Sequence, residues 1–150
     1  MNTLSQTEIS RIREAMYRRF DQENIPRMVL KPNLLDSLTD RMMYIYELAQ
    51  NDEQHRHGKP ITYAACKFLF DLVKFHPYVD GNKRTALACF LALLKKNRIT
   101  HSLSFDVTEV IQVSTGTMKI AEIPRKIIDI ANDQIDMEGF YRYVAARTDE

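Results

Sequence analysis

The sequence predicts an all-α domain: a helical bundle with a central buried helix, and room for one small β-hairpin ahead of Thr62. Three observations predict it. Apolar residues recur at helical spacing in several separate runs. Helix-start signals stand in front of those runs. Two of the most apolar segments, Thr62 to Phe75 and Thr85 to Leu94, have helical length and flank a short polar stretch.

Taken in order, Ser5-Gln6-Thr7-Glu8 reads as a capping box, in which the serine and glutamate each satisfy the other's backbone N–H. Ile9, Ile12, Met16 and Phe20 follow at helical spacing, so a first amphipathic helix is expected to about Asp21. Glu23 to Pro32 is a loop broken by Pro26 and Pro32. Asn33 is the expected cap of a second helix, with Leu34, Leu35, Leu38, Met42, Ile45, Tyr46 and Ala49 on one broad face. Asn51 to Ile61 is polar, carries Gly58 and Pro60, and is where a loop or hairpin is expected. His55 and His57 lie in it. Their spacing alone does not make a metal site, and a solvated loop is the expectation.

Thr62 to Phe75 carries charge only at Lys67, Asp71 and Lys74, which share one stripe, so the rest of that helix is expected to be buried. Pro77 disfavours helix at His76 and ends it. Thr85 to Leu94 reads as the central core helix, with Lys95, Lys96 and Arg98 at its far end and Asn97 as its stop. His101 is expected in a loop without catalytic work. Asp106-Val107-Thr108-Glu109 is a further helix start, with a stop near Gly116. Pro124 suits a first helical position, continued by Ile127, Ile128, Ile130 and Ala131. Phe140, Tyr141, Tyr143 and Val144 mark a last short helix, and Arg147 to Glu150 reads as a solvated tail.

Residues 1–150 suit a single domain, and 45% apolar content is ordinary for one. A net charge of +1, with scattered basic residues, gives no general pull toward nucleic acid or membrane. The longest apolar run, Ala86 to Leu94, is far shorter than the ~20 residues that span a bilayer. Cys66 and Cys89 each lie in an apolar helix and read as buried free thiols, which suits a reducing cytoplasm. The first residues lack a basic-then-apolar signal pattern.

The chemistry is concentrated in His76-Pro77-Tyr78-Val79-Asp80-Gly81-Asn82-Lys83-Arg84. Asp80-Gly81 is a turn signal, and Asn82 is a good N-cap for the apolar helix behind it. The stretch therefore sits on the positive end of a buried helix, where free N–H groups favour an anion. Lys83 and Arg84 add charge, and Arg84 can grip phosphate oxygens bidentately. Asp80 can hold Mg²⁺, which takes one or two carboxylates plus substrate phosphates. His76 can accept a proton near neutral pH. These residues describe a site for a metal–phosphate ligand with a base beside it.

This stretch resembles the Fic/Doc family pattern H-x-F-x-D/E-G-N-x-R, with Tyr78 in place of the phenylalanine. The resemblance is tight over roughly residues 60–98. It implies that His76 deprotonates a target hydroxyl, Asp80 holds Mg²⁺, and Gly81, Asn82 and Arg84 cradle the phosphates of ATP. It also implies that the segment before Thr62 forms a flap that pairs with the target's main chain. AMP-transferring members have Gly where this chain has Lys83, and a second Arg where it has Leu87. Both departures resemble the Doc branch, in which the nucleotide is reversed and the γ-phosphate is transferred. Lys83 would fill or neutralise the pocket that a glycine leaves open, and Leu87 removes a charge that would hold the far phosphates.

The resemblance therefore implies phosphorylation of a Ser, Thr or Tyr hydroxyl on a target protein, elongation factor Tu by analogy, with Mg²⁺·ATP as donor. AMP transfer on the same scaffold is the enzymatic alternative, and a non-catalytic binding module is the alternative of another class. An inhibitory S/T-x-x-x-E-G/N helix is not matched. Glu23-Asn24 and Glu138-Gly139 come closest, but the Ser/Thr positions hold Arg19 and Gln134. Restraint is then expected from a separate antitoxin, which would carry most of the DNA binding.

Overall fold

The computed structural model describes residues 1–19, 31–103 and 122–150. Among them are six helices: α1 (Gln6–Arg19), α2 (Pro32–Asn51), α3 (Pro60–Phe75), α4 (Asn82–Lys96), α5 (Glu122–Ala131) and α6 (Met137–Ala145). The two short strands β1 (Thr100–His101) and β2 (Thr148–Asp149) pair antiparallel, Thr100 opposite Asp149. The fold is all-α, as expected. Its small sheet joins the segment after α4 to the chain end, whereas Asp52 to Lys59 holds turns and no strand. The expected start at Asp106 to Glu109 and stop at Gly116 lie outside the described residues, as does most of the Glu23–Pro32 loop.

Helix α3 packs against α2, α4, α5 and α6, and α1 lies on α4. Leu69, Leu72, Leu87, Phe90, Leu93, Ile127 and Phe140 are fully enclosed in the shared core. The charged stripe of α3 behaves as its spacing suggests. Lys67 and Asp71 pair at 2.8 Å along the helix, although the aspartate itself is buried.

Local signals set the ends. Ser5 and Glu8 form the capping box: Ser5 N–H donates to Glu8 Oε1 at 3.1 Å and Glu8 N–H donates to Ser5 Oγ at 3.2 Å. Helix α2 begins at Pro32 with Lys31 in the cap position, so Asn33 is helical and not the cap. Proline lacks the N–H that a first-turn residue leaves unbonded, which places it at the start. Asp136 caps α6 by accepting from Gly139 N–H at 2.7 Å. Asn97 closes α4, donating through Nδ2 to the Leu93 carbonyl at 2.8 Å.

Two expectations are corrected. Arg147 to Glu150 is no solvated tail: Thr148 is buried, and the Glu150 carboxylate accepts from Ile61 N–H at 2.8 Å and Thr62 N–H at 2.6 Å. It closes the open N–H groups of α3, which has no side-chain cap of its own. His57 does not stand in solvent either. Its ring stacks on Tyr63 at 3.7 Å and its Nε2 meets Glu138 Oε1 at 2.9 Å. Among the described residues no group of three or more His, Cys, Asp or Glu side chains could hold a metal ion. No described helix is long and apolar enough to cross a membrane.

Candidate active site

The nine-residue stretch links α3 to α4. Helix α3 ends at Phe75, and His76 takes a left-handed conformation, φ 50°, before Pro77. This reverses the chain and leaves the imidazole exposed at the mouth of a depression of about 250 Å³. The lining is His76, Val79, Asp80, Gly81, Asn82, Lys83 and Arg84. His76, Asp80, Gly81, Asn82, Lys83 and Arg84, the residues to which the sequence assigns chemistry, thus border one hollow.

Gly81, not Asn82, occupies the N-cap position of α4, at φ 74°. A side chain there would be strained, and its Cβ would collide with the hydroxyl of Tyr17. Asn82 is the first helical residue and caps nothing. Its carboxamide turns back on the loop: Oδ1 accepts from Tyr78 N–H at 3.0 Å, and Nδ2 donates to the Tyr78 carbonyl at 3.0 Å. The amide that the sequence offered as a helix cap is a loop clasp. The first-turn N–H groups of α4 consequently have no side-chain cap, and the residues that carry them line the hollow.

Arg84 in the first turn of α4 and Asp80 in the loop before it meet at 3.4 Å. The arginine side chain is 14% exposed and the aspartate 63%, so the cation is held at the wall and the carboxylate hangs at the rim. The His76 imidazole has its pKa lowered, first by burial and then by Lys83, Lys31 and Lys74. A neutral ring, ready to accept a proton, is the favoured form at neutral pH.

Residues 3–94 match the model of the Fic/DOC family. The chain belongs to that family. No curated protein matches it. Members of the Fic/DOC family are generally transferases, and membership supports the same activity here.

Two features of this Fic/DOC site escaped the sequence. Arg13 and Tyr17 of α1 are both buried beneath the motif. Arg13 donates from Nη1 to Thr85 Oγ1 at 2.5 Å and from Nη2 to the Asp80 carbonyl at 3.2 Å, and its guanidinium lies 3.7 Å from the centre of the Tyr78 ring. Tyr17 accepts from Arg84 Nη2 at 3.4 Å. Leu87 is fully buried and belongs to the core, not to the lining. Restoring the AMP-transferring pattern at both departures, Lys83→Gly with Leu87→Arg, would therefore bury a cation, and only the Lys83 half tests nucleotide orientation cleanly.

Proposed function

We propose that this Fic/DOC protein transfers the γ-phosphoryl group of Mg²⁺·ATP to a Ser, Thr or Tyr hydroxyl of a target protein. The observation that carries the reading is the uncapped N-terminus of α4 opening on a hollow bordered by His76, Asp80, Lys83 and Arg84. Backbone N–H groups and two cations there suit the charge of a transferring phosphoryl group.

In this reading His76 Nε2 or Nδ1 takes the proton of the acceptor hydroxyl as its oxygen attacks the γ-phosphorus. The bond to the bridging oxygen breaks, and ADP leaves with that electron pair. The N–H groups of Gly81 and Asn82, with Lys83 and Arg84, bind the phosphate oxygens. The Asn82 side chain serves by holding the loop. Asp80 fits a Mg²⁺ ion held mainly by phosphates: it is the single carboxylate among the described lining residues, and it is exposed at the rim. The bound ion would supply positive charge that neutralises the phosphates. Phe75 and Val79, 48% and 54% exposed, flank His76 on either side in sequence. Such apolar neighbours suit an acceptor carried on a polypeptide.

AMP transfer is the second reading. Against it stands Lys83 in the lining, where the AMP-transferring pattern has glycine. The target by family analogy is elongation factor Tu, the setting is the cytoplasm, and restraint would come from an antitoxin in trans.

The experiment incubates the protein and Mg²⁺·ATP with elongation factor Tu and, separately, with a cytosolic extract, then reads intact masses. A phosphate-sized gain that disappears with His76→Ala is the expected result. An AMP-sized gain would establish the second reading. Nucleotide binding without any gain would favour a binding module.

A further inference from the structure

The floor of the motif is supplied by α1, from two residues one turn apart. Tyr17 is 1% exposed and fixed in the interior. Its hydroxyl accepts from Arg84 Nη2 at 3.4 Å, and its ring centre lies 5.1 Å from the Arg84 guanidinium carbon. The same Nη2 is 3.4 Å from Asp80 Oδ2. Arg84 therefore has two partners of different kinds. Tyr17 is immobile and uncharged. Asp80 is exposed, charged, and the residue given to Mg²⁺ above.

Arg13 holds the other side of the same seat through Thr85, the Asp80 carbonyl and the Tyr78 ring. Tyr17 also occupies the space into which any Cβ at position 81 would project. A free arginine side chain loses much rotamer freedom when it grips a ligand, and one already held loses less. Were Asp80 to turn to a cation, Arg84 would keep the Tyr17 hydroxyl as its fixed partner.

We propose that Tyr17 is a positioning residue for Arg84: its buried hydroxyl holds the guanidinium over the N-terminus of α4, so that phosphate replaces Asp80 as the second partner. Helix α1 thereby sets the affinity for the phosphate part of the nucleotide. The proposal rests on the phosphate-binding role given to Arg84.

The test measures the affinities of ATP and of adenosine, each with Mg²⁺, for the native protein, Tyr17→Phe, Arg84→Ala and the double variant. Tyr17→Phe keeps the ring and removes the hydroxyl. It is expected to weaken ATP about fivefold, the order of one ordinary hydrogen bond as suits a contact of 3.4 Å, and to leave adenosine unchanged. In the Arg84→Ala background it is expected to cost nothing further. Both ligands are compared on the same folded molecules, so a change in stability alone does not move their ratio. Native-like ATP affinity in Tyr17→Phe, equal losses for ATP and adenosine, or additive losses in the double variant would each overturn the proposal. A native protein that binds no ATP would overturn the phosphate reading and this proposal with it.

Discussion

The carboxamide of Asn82 is hydrogen-bonded at both ends to the backbone of Tyr78, with each contact at 3.0 Å. The two residues are four apart and both are buried, so this pair closes the turn that carries Asp80 and Gly81. Asn82→Ala leaves the Tyr78 N–H and carbonyl without these partners. The expected cost is about 1–3 kcal/mol of stability, read as a lower denaturation midpoint, because buried polar groups lose their bonds. Asn82→Asp keeps the acceptor, loses the donor and adds an anion at the phosphate hollow. It should lose ATP affinity more than its stability change accounts for. Equal stability in the native and alanine proteins would show that the clasp does not hold the loop.

The hydroxyl of Tyr78 has no hydrogen-bond partner among the described residues although it is enclosed. Burial pushes its pKa up to about 12, against the opposing pull of Arg13. Tyr78→Phe removes the unsatisfied group and keeps the ring under the Arg13 guanidinium. The expected change is neutral to about 1 kcal/mol stabilising, measured by chemical denaturation. A clear destabilisation would mean that the hydroxyl does have a partner in solution.

The motif and the two helices around it, α3 and the buried α4, are legible because apolar spacing and turn chemistry are local. What acts on the motif from a distance is not. The spacing Ile9, Ile12, Met16 and Phe20 predicts the inner stripe of α1; Ile9 and Met16 are buried and Ile12 packs against the core, but Arg13 and Tyr17 are buried as well, and Phe20 lies outside the described residues. An arginine at a core position is costly unless paired, so spacing alone does not point to Arg13. Its partners, Thr85 and the Asp80 carbonyl, lie 72 and 67 residues away and cannot be seen by spacing. The same holds for Asn82. Its residue type fits a cap, and only the left-handed turn at Gly81 shows that the cap position is one residue earlier.

Glu150 is a second contact that sequence distance concealed, since its carboxylate reaches the first turn of α3 at Ile61 and Thr62. A carboxylate is favoured there by the unbonded N–H groups and the helix dipole. Glu150→Gln keeps an acceptor and removes the charge. It should lower stability by about 0.5–1 kcal/mol, and the loss should shrink as salt is raised. Glu150→Ala should cost about 1–2 kcal/mol, since no other side chain caps this end. Unchanged thermal midpoints in both variants would show that β2 holds the chain end without this contact.

His76 gives the pH dependence. Burial lowers its pKa from the ordinary 6.5, and Lys83, Lys31 and Lys74 lower it further. A protonated ring cannot accept the hydroxyl proton, so transfer is expected to fall as pH drops through this depressed pKa. The acidic limb of the rate profile should therefore have its midpoint below 6.5. Lys83→Met removes the largest of the neighbouring charges acting on the ring. The midpoint should then move upward toward the ordinary value, while the rate at high pH reports separately on the loss of a phosphate-binding cation. The same sign governs stability. The folded protein favours the neutral ring, so this residue's contribution is present above the ordinary pKa and declines as pH falls through the lowered one. A limb that stays in place in Lys83→Met would show that the lysine does not tune the base. A limb absent in the native protein would remove His76 from the proton transfer.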